Sequence, residues 1–313
     1  MRPVAEDHWA GTAELGSAWG LRFLFEVSRS LGRWPFRIAL VPVVLYFFLT
    51  RKSKRDASRQ YLERLYAFRG SKGRPSYFSV FRHLLVSGEG VLERVLAWDP
   101  QSAPPRFARH GREAVVRALE RGKGILLIGS HLGNMEVARH LALSERKVHV
   151  NVLVHTKHNP RFIALMSRIN PMSQMSLFQV SDISPATAML LKDKIDAGEV
   201  VLIAGDRVPL DGKGIAWAPF LAHPAPLPIG PYVLASVLEC PVFLFFCIGR
   251  NGRYDIHYEA FSERIALNRA TRREDLAALA GRYADRLSYY CTLAPMLWGN
   301  IYRFWGDPEV GKP

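Results

Sequence analysis

Residues 124–143 read GILLIGSHLGNMEVARHLAL, and the hydrophobic period changes in the middle of the stretch. GILLIGS is a short apolar run of strand character, and the residues after Gly133 have helical spacing. A strand that turns through a glycine into a helix is the building unit of an α/β sheet, and the neighbouring segments repeat it. Residues 112–121 read as a helix closed by Gly122 that feeds the strand 125–128. Strand 148–154, helix 161–169, strand 176–180, helix 185–197 and strand 200–204 follow. Upstream, 56–69 and 77–98 read as helices separated by GSKGRP at 70–75, the second ending at DPQSAPP. Downstream, 242–248 and 254–258 read as a hairpin around Asn251-Gly252. The last long helix starts at Thr271, where TRRE offers a capping box with Glu274. The expected fold is α/β: a mixed, largely parallel β-sheet flanked by helices.

The ends of the chain add a second theme. Of 313 residues, 49% are hydrophobic and 22% charged, a composition that folds. The net charge of +14 is uneven, since residues 1–75 hold 14 Lys and Arg against 6 Asp and Glu. Such a balance implies an anionic partner: nucleic acid, phospholipid headgroups or an acidic carrier protein. IALVPVVLYFFL, 38–49, is twelve apolar residues around Pro42, short of the ~20 that span a bilayer, and RKSKR follows it at 51–55. Together with Leu21 to Val27 it reads as an N-terminal hydrophobic helical segment dipped into one leaflet of an anionic membrane surface. The expected division is therefore 1–75, a membrane-associating region, and 76–313, the α/β domain. The first twenty residues carry Glu6, Asp7 and Glu14 and do not read as a cleavable signal peptide. Cys240, Cys247 and Cys291 lie in apolar surroundings without metal or redox spacing and read as reduced core residues.

His131 and Glu136 straddle the strand-to-helix turn. A continuous helix would rotate the pair apart by about 140°, so the bend at Gly133 is what allows them to share a site. A histidine at a strand end with a carboxylate partner is a general base whose tautomer is fixed, and no protein nucleophile is then required. Ser130 lacks the G-x-S-x-G setting of a hydrolase nucleophile. Glu136 and His140 with His131 make no metal-binding motif, and no cofactor is implied. Asp206 also follows a strand, at the carboxyl end where α/β sheets bind ligands.

The stretch ILLIGSHLGNMEVA resembles the first motif of the lysophospholipid acyltransferase superfamily, specifically its lipid A late acyltransferase branch, which carries H-x₄-D/E after a strand. VLIAGDRVPLDGKGIAWAPFLAHPAPLPIGPYVLA, 201–235, is similar to a later block of that branch, about seventy residues on, with an acidic residue after a strand, a basic loop and a PF segment. The resemblance implies that His131 is the catalytic base and Glu136 its carboxylate partner. It further implies that Asp206, Arg207 and Arg161 (in HNPRF) bind substrate or shape the site. The implied reaction moves a fatty acyl group from acyl carrier protein or coenzyme A to a hydroxyl of a lipid or glycolipid, at the cytoplasmic face of a bacterial inner membrane. GDRVP stands where the sugar-lipid enzymes have G-D-Q-D-Y-G, so an aryl polyene or another lipid-linked hydroxyl competes with lipid A as acceptor. The rival readings are a lipid-acting hydrolase and a non-catalytic membrane-binding protein. No nucleic-acid-binding signature accompanies the basic charge.

Overall fold

A computed structural model describes residues 33–98, 106–135, 148–154, 175–179, 184–209, 212–250 and 252–305. The described elements are α1 (Arg33–Thr50), α2 (Lys52–Phe68), α3 (Tyr77–Trp98), β1 (Arg106–His110), α4 (Arg112–Glu120), β2 (Ile125–Gly129), β3 (Val150–Val154) and β4 (Met175–Gln179). They continue with α5 (Pro185–Asp196), β5 (Val200–Ala204), β6 (Ile215–Phe220), β7 (His223–Pro228), α6 (Gly230–Leu238), β8 (Val242–Arg250), β9 (Arg253–Ser262) and α7 (Arg272–Leu293). Seven strands form one sheet in the order β1-β9-β8-β2-β5-β3-β4. All its pairings are parallel except the β8/β9 hairpin. The fold is thus the expected mixed, largely parallel sheet with helices on its faces.

Because strand side chains alternate between faces, one apolar run supplies two cores. Leu126 and Ile128 of β2, with Leu244 and Phe246 of β8, belong to a large cluster that includes α2, α5, α6 and α7. Ile125, Leu127, Phe243 and Phe245 point to the other side, where Ala118 of α4 packs. Tyr61, Leu62 and Leu65 of α2 lie in the first cluster, so this helix shares the core of the α/β domain.

α1 shows a different pattern. Phe36, Leu40 and Val44, spaced by four, are buried against Leu84 of α3. Gly88 of α3 makes the approach close, since a Cβ there would stand 3.3 Å from Leu40. The rest of α1 is also apolar, yet it is exposed: Trp34, Ile38, Val41, Leu45 and Leu49 have no covering element among the described residues. Arg55 of α2 donates to the carbonyls of Phe48 and Leu49, capping the end of α1 as α2 turns away by 95°. No single described helix is long and apolar enough to cross a membrane. The upstream half of the expected hairpin, Leu21 to Val27, lies outside the described residues.

The structure departs from the sequence reading locally, at Thr271 and at the β6/β7 ribbon among other places. Thr271 does not close a capping box with Glu274; its hydroxyl donates to Asp275 instead, at 3.1 Å, because the backbone there (φ −111°, ψ 15°) is not in the extended cap conformation. β6 and β7 form a two-stranded antiparallel sheet despite four prolines, paired as Pro219 with Pro224 and Trp217 with Pro226. In an isolated ribbon each strand has an outer edge, where a missing N–H costs no ladder bond. Its turn puts Leu221 and Ala222 at positive φ, held by burial of Leu221 and by the Ser288 hydroxyl, which accepts the Leu221 N–H at 3.1 Å.

Candidate active site

β2 and β5 are parallel neighbours in register, Gly129 opposite Ala204, so the residues just beyond them emerge side by side. Beyond β2 this places Ser130 and His131, and beyond β5 Gly205 and Asp206. The Gly205 N–H donates to the Gly129 carbonyl at 2.9 Å, and the Tyr283 hydroxyl of α7 donates to the same oxygen at 2.9 Å. Position 205 must be glycine, since a Cβ there would lie 2.8 Å from Ile128 and 2.9 Å from Tyr283.

His131 and Asp206 meet directly. The His131 ring donates from Nδ1 to Asp206 Oδ1 at 2.6 Å, and the His131 backbone N–H donates to Oδ2 at 2.7 Å. An ionised carboxylate only accepts, so in the neutral ring the proton is on Nδ1 and the lone pair on Nε2. The Asp206 carboxylate is fully buried and takes two further donors on Oδ2: the Trp298 indole N–H at 3.0 Å and the Asn300 amide at 3.3 Å. Burial alone would raise this carboxyl, but attraction to His131 and the surrounding donors outweigh it and hold the group below its ordinary value. The Asp206 carboxylate thus serves the histidine and the two side chains behind it.

The turn after His131 is clamped from two sides. Gly133 has φ +75° and would put a Cβ 1.9 Å from the Cys247 carbonyl, so only glycine fits. Its N–H donates to the Leu297 carbonyl at 2.9 Å, and the Asn134 N–H donates to Cys247 at 3.2 Å. The Leu132 N–H is used by Ser130 Oγ at 3.3 Å, so the amides of 132–134 are committed to holding the turn. The loop after α7 closes the other side, with the Gly299 N–H donating to the His131 carbonyl at 2.8 Å. A pocket opens beside His131, walled by α3, this turn and the 296–299 loop.

Arg207 is half-buried and donates from Nε to Asn300 at 3.4 Å, one residue from the dyad. Glu136 and Arg161 lie outside the described residues. Trp298, Asn300, Glu93 and Tyr254 reach the site without any local sequence signal, because the loop after α7, helix α3 and strand β9, each more than thirty residues away in the chain, deliver them. The tail from Trp298 to Trp305 is core: Trp298, Phe304 and Trp305 are buried in a cluster of ring contacts with Phe220. The three cysteines are free and buried, and burial pushes the Cys240 thiol up to about 11. Among the described residues no group of His, Cys, Asp or Glu could hold a metal ion.

A largely parallel α/β sheet carrying a histidine and a buried carboxylate at the carboxyl ends of adjacent strands, beside a pocket, is an arrangement capable of base-assisted chemistry. The profile of the bacterial lipid A biosynthesis acyltransferase family matches residues 90–306, roughly two thirds of the chain, and the chain belongs to that family. It is an acyltransferase acting on lipid-type acceptors. No curated protein matches the chain.

Proposed function

We propose that the protein transfers a fatty acyl group from a thioester of acyl carrier protein or coenzyme A to a hydroxyl of a lipid or glycolipid, with His131 as general base. The observation that carries this reading is the 2.6 Å contact between His131 Nδ1 and the buried Asp206, with the histidine lining the pocket. Nε2 takes the proton as the acceptor oxygen attacks the thioester carbonyl. The C–S bond then breaks, and the thiolate recovers the proton from the imidazolium. Asp206 keeps the ring in the productive tautomer and offsets the charge that forms on it. With Nδ1 committed to Asp206, a contribution from Glu136, implied by H-x₄-E, comes through other atoms. Arg207 and Arg161 are proposed to hold a substrate phosphate away from the reacting hydroxyl or to shape the site.

The place of work is proposed to be the cytoplasmic face of the inner membrane, on an anionic surface. Support comes from the outer face of α1, where Trp34 is 74% exposed, continued by Phe78 of α3 at 72%. Basic side chains border it: Arg55 lies over Phe48 at 5.6 Å and Arg59 over Tyr77 at 4.6 Å. Apolar insertion flanked by cations is the pattern of an interfacial helix. The same helix reaches the pocket, since Arg37 of α1 pairs with Glu89 of α3 at 3.2 Å.

The test is to incubate the full chain in detergent with a labelled acyl thioester and a bacterial lipid extract. Label appearing in a lipid ester, dependent on His131, supports transfer. Free fatty acid released at the same rate with and without lipid supports the hydrolase reading instead.

A further inference from the structure

The α3 wall of the pocket that His131 lines carries two carboxylates, although the chain as a whole carries +14. α3 presents Glu89 and Glu93 there, one turn apart on the same face with Gly90 between them; Arg37 of α1 pairs with Glu89 at 3.2 Å, so the charge argument falls on Glu93. Glu93 is 9% exposed, and its Oε2 accepts the hydroxyl of Tyr254 at 3.0 Å. Tyr254 is itself buried on β9; burial, with the Glu93 charge added, pushes its phenol up, so it stays a donor. Glu93 is thereby fixed in place rather than swinging in solvent. Behind His131 stands the third carboxylate, Asp206. A phosphate brought close to the reacting hydroxyl would face like charges in a partly desolvated site, whereas a hydroxyl or ammonium would meet acceptors.

We propose that Glu93 reads the acceptor: the group flanking the reacting hydroxyl is a hydrogen-bond donor, a hydroxyl or an ammonium, and not a phosphate. This rests on the acyl-transfer reading of His131 and narrows its acceptor class. The repulsive element excludes phosphate-flanked hydroxyls, and the fixed carboxylate rewards donors. Gly90 sets the room available, because a Cβ there would meet nothing within 4 Å.

The experiment compares two probes with the same acyl chain in zwitterionic micelles: a monoacylglycerol, with two free hydroxyls, and a lysophosphatidic acid, with a phosphate near its hydroxyl. Binding by calorimetry and kcat/KM for acyl transfer are measured with the full-length native chain, Glu93→Gln and Tyr254→Phe. The native chain is expected to favour the monoacylglycerol by at least ~10-fold. Glu93→Gln, which keeps an acceptor for the Tyr254 hydroxyl, brings the ratio to about 2-fold or less, and Tyr254→Phe falls between. Partition into micelles is common to native and variant chains, so the change in ratio reports the pocket. A native chain that binds the phosphate probe equally well or better overturns the proposal, as does a ratio unchanged in folded Glu93→Gln. If the binding ratio shifts as expected but no thioester is consumed, the Glu93 proposal stands and the acyl-transfer reading falls. If His131-dependent transfer occurs with an unchanged ratio, the reverse holds.

Discussion

Two histidines flank Trp298, and their surroundings assign them opposite work. His83, on α3, is 1% exposed; its Nε2–H donates to the Trp298 carbonyl at 3.0 Å, and its Nδ1 accepts the Ser58 hydroxyl at 2.8 Å. Both ring nitrogens are used by neutral partners, and burial drives its pKa down to about 4. His131 is linked to the same tryptophan through Asp206, with its side chain 18% exposed, lining the pocket, and Nδ1 held by a carboxylate. The indole N–H itself serves Asp206. A histidine becomes a base when its partner is anionic and its second nitrogen meets a pocket; with two neutral partners in a sealed core it is a structural cross-brace.

The contrast is easiest to break by substitution. His131→Gln is expected to lower kcat/KM for acyl transfer by ~10³-fold or more while the melting temperature stays within a few degrees, since the site is open at that point. Next comes Asp206→Asn, expected to cost about 10²-fold through loss of the tautomer lock. Asp206→Ala should in addition cost about 3 kcal/mol of stability, because the Trp298 and Asn300 donors lose their acceptor in the core. For His83→Phe the pattern inverts: roughly 2 kcal/mol of stability is lost to the unpaired Ser58 hydroxyl and Trp298 carbonyl, with kcat/KM within about 5-fold of native. A His83 variant that destroyed activity without destabilising the chain would erase the distinction.

Acid denaturation sharpens it further. Unfolded histidine protonates near 6.5, whereas native His83 resists down to about 4. Between those values the unfolded chain binds the proton and the native chain does not. Stability is therefore fully present above pH ~6.5 and declines as pH falls through about 4, by at most ~3 kcal/mol. His83→Phe should flatten that part of a denaturant-melt series against pH. The depressed Asp206 carboxyl contributes at lower pH, its stabilisation intact above the ordinary carboxylate range and lost as pH falls through its native value.

Much of the fold was legible because its signal is local. The apolar runs at 125–128 and 200–204 fall on β2 and β5, the first one residue short, and Tyr77 to Trp98 matches α3 end to end. β1, RFARH, escaped because its residues alternate without an apolar face and it is a strand only by pairing with β9. The β6/β7 ribbon escaped because proline argues against strands in general, and only an isolated two-stranded sheet excuses it. Within the site, the position of His131 and of Asp206 at strand ends was readable, but their contact was not, since nothing in the sequence says that β5 pairs with β2. Trp298 and Asn300 carried even less warning. They follow a helix end by a few residues and matter only because the chain returns there over the carboxyl edge of the sheet.

The central claim is that His131 and Asp206 act as one unit, and a double-mutant cycle in acyl-transfer kcat/KM tests it most directly. His131→Gln, Asp206→Asn and the combined variant are compared with the native chain under one donor and one acceptor. If the pair is a unit, the double variant is no slower than His131→Gln by more than about 3-fold, because Asp206 has nothing left to orient. If the two losses multiply, Asp206 acts independently of the base, and the 2.6 Å contact at the ends of β2 and β5 is not the heart of the chemistry.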